Sequence, residues 1–223
     1  MPHDMGVNTP IMSAWRWLHV TGVVAVVWAL VAGAPGRGEI QPRKVEKMRA
    51  AAPDKPRVKP REPRKLLVLS RAWGYEHSAI PYGARAIEVI AHKTGAFNAV
   101  VTREVELFEP DKLSQFDAVF LNNCNNEIFL PPPQKLKKMS DAEQQRARRR
   151  AQRLRGSLRD FVRTGGGLAA LHAAVAAFRE WPEYGNIIGA RYDNHPWNAG
   201  STVTMKVEEP DHPLAQAFAG SHF

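Results

Sequence analysis

Gly165-Gly166-Gly167-Leu168-Ala169-Ala170-Leu171-His172-Ala173-Ala174 reads as a glycine turn, a short buried strand and a histidine at the corner where the strand gives way to a helix. Small residues around His172 let the backbone bend sharply, the demand that also shapes the nucleophile elbow of α/β hydrolases. The corner carries an imidazole and no Ser or Cys, so it suits a proton shuttle, a metal ligand or a polar binding group rather than a covalent nucleophile.

Upstream of the glycines, residues 141–164 read as one long helix with Ser140 at its N-cap. Its early turns are rich in arginine, and only Leu154, Leu158, Phe161 and Val162 mark a packed face. Residues 65–70 and 118–122 are apolar runs of strand length, as expected for strands buried on both faces, and residues 99–102 give a further strand. Between them, residues 80–94 place Ile80, Ala84, Ile87, Ile90 and Ala91 at helical spacing and stop at Gly95, and residues 110–114 make a short helical turn. Alternating strands and helices predict an α/β domain with a mostly parallel sheet covered on both sides. In such sheets ligands bind beyond the carboxyl ends of the strands, where residues 70–77, residues 122–127 and His172 all fall.

Beyond the corner, Trp181-Pro182-Glu183-Tyr184 leads to Asp193-Asn194-His195-Pro196-Trp197, then to a predicted strand over residues 201–207 and to Asp211-His212-Pro213. The ordered set of Gly74-Tyr75-Glu76-His77, the turn at residues 165–167 into Leu171-His172-Ala173, Glu183-Tyr184 before Gly189, His195-Pro196 and Asp211-His212-Pro213 resembles the ThuA-like family, named for trehalose utilisation. The resemblance covers residues 65–223. It implies a flavodoxin-like, class I glutamine amidotransferase-like three-layer sandwich. It also implies that His172 stands where the amidotransferase relatives carry their catalytic cysteine, so glutamine hydrolysis is not expected. The implied role is sugar-related, in catabolism of trehalose and related disaccharides, including 3-keto sugars. Family members continue past the Asp-His-Pro segment, so the domain is expected to be C-terminally incomplete at Phe223.

On physical grounds His77, His172 and His195 are the candidate catalytic groups, and with Glu76 or Asp193 nearby they could together hold Zn²⁺ or another divalent metal. Without metal, one neutral histidine could take a proton next to a sugar ketone while another polarises the carbonyl. Trp73, Tyr75, Trp181, Tyr184 and Trp197 are candidates for stacking on a sugar ring, and Glu76, Asn122 and Asn123 for polar contacts to it. The competing readings are a non-catalytic carbohydrate-binding or partner-docking module, and a cysteine hydrolase built on Cys124 with one of the histidines.

Cys124 is the only cysteine, which excludes an intrachain disulfide and a cysteine-based zinc site. The formal charge of +9 is concentrated: residues 35–65 hold 11 Lys/Arg against 4 Asp/Glu, residues 135–163 hold 11 against 3, and the remainder is net negative. The basic helix brings no base-reading pattern or interleaved aromatics, so specific nucleic-acid binding is not expected. Residues 35–64 read as a basic, proline-rich, disordered linker. Ahead of it, the apolar run over residues 18–34, ending in Ala32-Gly33-Ala34, resembles a secretory signal and predicts an exported protein, periplasmic or extracellular, with an uncleaved membrane anchor as the alternative.

Overall fold

The computed structural model describes residues 40–197, 200–215 and 218. The apolar run over residues 18–34 lies outside them. Among the described residues no helix is long and apolar enough to cross a membrane.

Four strands form one all-parallel sheet in the order β2-β1-β3-β4: β1 Arg64–Leu69, β2 Phe97–Thr102, β3 Ala118–Asn122 and β4 Gly167–Leu171. The chain thus runs from β1 outward to β2 and returns to the other side of β1 for β3, which makes the β1–β3 gap the point where strand order reverses. Register places Leu67 beside Val119 and Leu69 beside Leu121, with Leu168 and Ala170 alongside. The side chains of Leu67, Leu69, Val119 and Leu121 join Leu154 and Leu158 of helix α5 (Asp141–Arg163), Phe108 and Phe129 in one buried cluster. Each such aliphatic side chain contributes about 1.5–3 kcal/mol when removed from water. Ser140 starts α5, its backbone N–H and hydroxyl both bonded to Glu143 at 2.9 and 2.7 Å. The turn between α5 and β4 requires Gly165, whose φ of +105° is closed to most side chains.

Helix α2 (Ile80–Thr94) covers the opposite face, contacting β2 and β3, and ends as its sequence predicts at Gly95, whose N–H bonds Ala91 O at 2.9 Å. Gly83 lets α2 approach closely: a Cβ there would fall 2.3 Å from Asn122 Oδ1. The short helices α3 (Pro110–Leu113), α4 (Pro133–Lys137) and α6 (Pro182–Ile188) each carry a proline in the first turn, where its missing N–H costs nothing.

Two expectations change. Within the segment that reads as a disordered linker, Pro42–Ala51 forms helix α1 and rests on α2. Pro42 and Pro53 flank a proline-free stretch of good helix formers, and few apolar contacts are needed because Lys93 Nζ of α2 holds the carbonyls of Arg49 and Ala52 at 2.7 and 2.6 Å. Residues 201–207 form no strand ladder; Val203 and Met205 are exposed. Alternating polarity offers an apolar face, but a strand also needs a neighbour's hydrogen bonds, and no described strand supplies them.

Candidate functional site

The carboxyl ends of β1, β3 and β4 meet in a connected set of side-chain amides. Asn122, fully buried at the end of β3, donates from Nδ2 to Ser70 Oγ beyond β1 at 2.9 Å and to the carbonyl of Ile80 at 2.8 Å. A carbonyl can only accept, so the Ile80 bond fixes which end of the Asn122 amide is nitrogen. Its Oδ1 then accepts from Asn123 Nδ2 at 2.9 Å, which turns Asn123 Oδ1 toward His172 Nδ1 at 2.8 Å. That oxygen is an acceptor, so the neutral imidazole carries its proton on Nδ1 and presents the lone pair of Nε2. When Nε2 takes a proton the Nδ1 bond to Asn123 persists.

His172 has φ +53° and Asn123 has the same value, both in the left-handed region that costs a side-chain-bearing residue energy. The strain sits where β4 passes into a single 3-10 turn over His172–Ala176, the corner that the glycine-strand-histidine pattern predicts. His77, half-buried in the loop between β1 and α2, lies edge-on to His172 with ring centroids 4.6 Å apart, and Tyr75 continues the row at 4.6 Å from His77. Tyr75 is 72% exposed and His172 is also exposed, so the row opens to solvent.

Burial, with a smaller contribution from neighbouring His172, holds the His77 pKa below the usual imidazole value. Its proton is bound more weakly in the folded than in the unfolded chain, so its contribution to stability rises with pH, from the lower folded value up to the ordinary one near 6.5. An NMR titration is expected to show His77 protonating below a free imidazole and moving part of the way back in His172→Asn. A normal His77 titration, indifferent to residue 172, would contradict the pairing.

The remaining sequence-derived site residues are distributed otherwise. His195 is exposed and bonds the carbonyl of Trp197 at 3.0 Å, with Tyr192 as its ring neighbour at 6.0 Å; no contact joins it to His77 or His172. Trp197 is 59% exposed. Glu76 pairs with Arg103 at 2.8 Å. Trp73 is half-buried, its indole N–H on Leu130 O at 3.0 Å and its ring under the Arg71 guanidinium, so it braces the loop instead of presenting a free platform. Tyr184 is a core residue, 2% exposed, packed on Phe178 and Trp181, with its hydroxyl on Ala174 O at 2.8 Å; burial pushes its pKa up. Tyr184 therefore forms no open stacking surface, and Trp181 is half-buried beside it.

Cys124 belongs to the core as well. It is 0% exposed and burial pushes its thiol up to about 12, which removes the thiolate that a cysteine hydrolase requires. As for metal, zinc sites take at least three protein ligands. Among the described residues no three His, Cys, Asp or Glu side chains gather as such a set. His172 Nδ1 is also engaged by Asn123. The described residues therefore do not fit a zinc centre built on His77, His172 and His195.

Sequence reasoning names Asn122 and Asn123 as contacts to a ligand; in the structure Asn122 bonds Ser70, Ile80 O and Asn123, and Asn123 bonds His172. Ser70 and Asn125 lie in the strand-end segments that the sequence marks, but no pattern in it assigns either a role. Asn125 accepts Trp73 N–H at 3.1 Å and donates to Tyr75 O at 2.6 Å, holding the loop that carries Tyr75 and His77. The signal for this was the density of asparagine over residues 122–126 at the end of a buried strand. A larger cleft, of about 810 Å³, lies at the amino ends of the strands between α3 and α5; its Arg64 and Arg153 are already paired with Asp117 and Glu109.

A parallel sheet in the order 2-1-3-4, with polar groups gathered at its reversal point, defines a flavodoxin-like α/β protein with a histidine at the strand-to-helix corner. The family model for ThuA, described as trehalose utilisation, matches residues 65–222, and the chain belongs to that family, within the class I glutamine amidotransferase-like superfamily. No curated protein and no solved structure matches it.

Proposed function

We propose that this trehalose-utilisation domain is exported, binds a carbohydrate derivative of the trehalose-like or 3-keto sugar class beyond the carboxyl ends of β1, β3 and β4, and moves a proton on it with His172 Nε2 as the base. The observation that carries this reading is the amide relay from Ile80 O through Asn122 and Asn123 to His172 Nδ1, which places the neutral ring's proton on Nδ1, leaves the Nε2 lone pair free and holds the imidazole on a buried, hydrogen-bonded support. A 3-keto sugar has acidified C–H groups beside its ketone, and a positioned imidazole is suited to take such a proton. His77 faces the same imidazole and supplies a second polar ring, while exposed Tyr75 offers a face for the pyranose. The apolar segment over residues 18–34 supports export.

The exposure of His172 and Tyr75 favours one second reading, a binding module without turnover. Both readings are separated by incubating a 3-keto disaccharide with the protein in D₂O and following the proton signals next to the ketone. Protein-accelerated loss of signal, saturable in sugar, is the expected result. Saturable binding with exchange at the uncatalysed rate leaves the binding module, and no binding of any disaccharide overturns the carbohydrate reading.

A further inference from the structure

Arg71, directly beyond β1, is a largely buried cation whose one ion pair among the described residues is long and reaches an exposed carboxylate. Its side chain is 13% exposed, Nη1 bonds the carbonyl of Arg103 at 2.8 Å, and the guanidinium lies over the Trp73 ring at 4.5 Å. Its Nε is buried and has no hydrogen-bond partner. The nearest carboxylate, Glu104, stands 3.9 Å away and is itself 73% exposed. A buried guanidinium in this condition is costly unless an anion completes it. Burial is the leading cause that pulls its pKa down.

Arg71 lines a cleft of about 460 Å³ with Lys135 after β3 and with Arg146 and Arg150 of α5. Of the carboxylates there, Glu106 is engaged by Arg150 at 2.8 Å and Glu143 by Ser140 at the start of α5. The charged ends of Lys135 and Arg146 make no hydrogen bond or ion pair among the described residues. With Arg150 and Glu106 paired to each other, Arg71, Lys135 and Arg146 share the concavity with the carboxylates of Glu104 and Glu143, so its lining is net positive. Phe129, Pro131 and Pro132 form an apolar wall that lowers the local dielectric and strengthens charge-assisted hydrogen bonds.

We propose that this cleft is a binding site for a small tetrahedral oxyanion of the phosphate class, free or as a phosphate monoester, held by Arg71, Lys135 and Arg146. Arginine presents a fork that suits phosphate oxygens, and lysine adds a point charge. The lining shares no residue with the histidine site, so the proposal stands apart from the carbohydrate reading.

The test is titration of the protein with inorganic phosphate at constant ionic strength, read by NMR at the arginine side-chain N–H groups and repeated with chloride. Saturable movement of the Arg71 Nε–H resonance by phosphate and not by chloride is expected. The Lys135→Ala/Arg146→Ala double variant, altered only at exposed side chains, is expected to bind about tenfold more weakly or worse, in line with the loss of two charge-assisted contacts. A monoester such as glycerol phosphate binding more tightly than phosphate would assign the esterified form, and the reverse order the free anion. Equal shifts with chloride, no saturable shift, or unchanged affinity in the double variant would overturn the site.

Discussion

Asn122→Asp is expected to destabilise the folded domain by about 3–5 kcal/mol at pH 7, the cost of leaving a buried charge without a partner. The substitution keeps shape and changes one group: the Nδ2 that donates to Ile80 O and Ser70 Oγ becomes a carboxylate oxygen. Ser70 can rotate its hydroxyl to donate, but the Ile80 carbonyl cannot, and the site is 0% exposed. Against the roughly 5–15 kcal/mol that holds a domain together, this is a large fraction. The sign with pH follows. Burial raises the new carboxyl's pKa in the folded state above its unfolded value near 4. The protonated acid can again donate to Ile80 O, so the penalty is small below the unfolded pKa and grows as pH rises through the gap to the folded one. Urea unfolding of variant and wild type at pH 4.5 and 7 measures this. A penalty that is absent, or the same at both pH values, would mean that the relay does not run through Ile80 O.

His172→Asn is expected to slow proton exchange on a 3-keto disaccharide by about 10²–10⁴-fold while leaving the fold intact, the usual effect of removing a positioned general base. Asparagine is preferable to alanine here because residue 172 sits at φ +53°, a conformation that asparagine tolerates and alanine does not. The variant therefore separates loss of the imidazole from loss of the corner. Sugar affinity should change little, because the lone pair acts on the transition state more than on the bound ground state. If exchange survived in His172→Asn, the base would lie elsewhere; if affinity and exchange fell together, His172 would be a binding contact.

The parts of this architecture that could be read from the sequence are those fixed by local patterns. The apolar run Ala118–Asn122, the helical spacing of Ile80–Thr94 and its stop at Gly95 carry their own instructions, and the structure places these elements at the same bounds. Helix α1 was hidden because composition averaged over thirty residues masks a ten-residue interval between prolines. The side-chain roles were less legible because they depend on partners distant in sequence. Asn122 could be seen to lie at a strand end, but its bond to Ser70 exists only because β1 and β3 pair. Tyr184 and His195 show the converse: aromatic and imidazole groups near a motif invite a functional reading, while tertiary packing sends one into the core and leaves the other outside any contact with the histidine pair.

In the proposed function, the Asn122–Asn123 relay sets His172 as a base through Nε2. The direct measurement is the tautomer of His172 in the ¹⁵N-labelled protein, from long-range proton–nitrogen correlations recorded at a pH where the ring is neutral. The proton is expected on Nδ1 with Nε2 bare, and this preference is expected to weaken in Asn123→Ala. A neutral ring carrying its proton on Nε2 would reverse the hydrogen bond to Asn123 and contradict the assignment of His172 as the base.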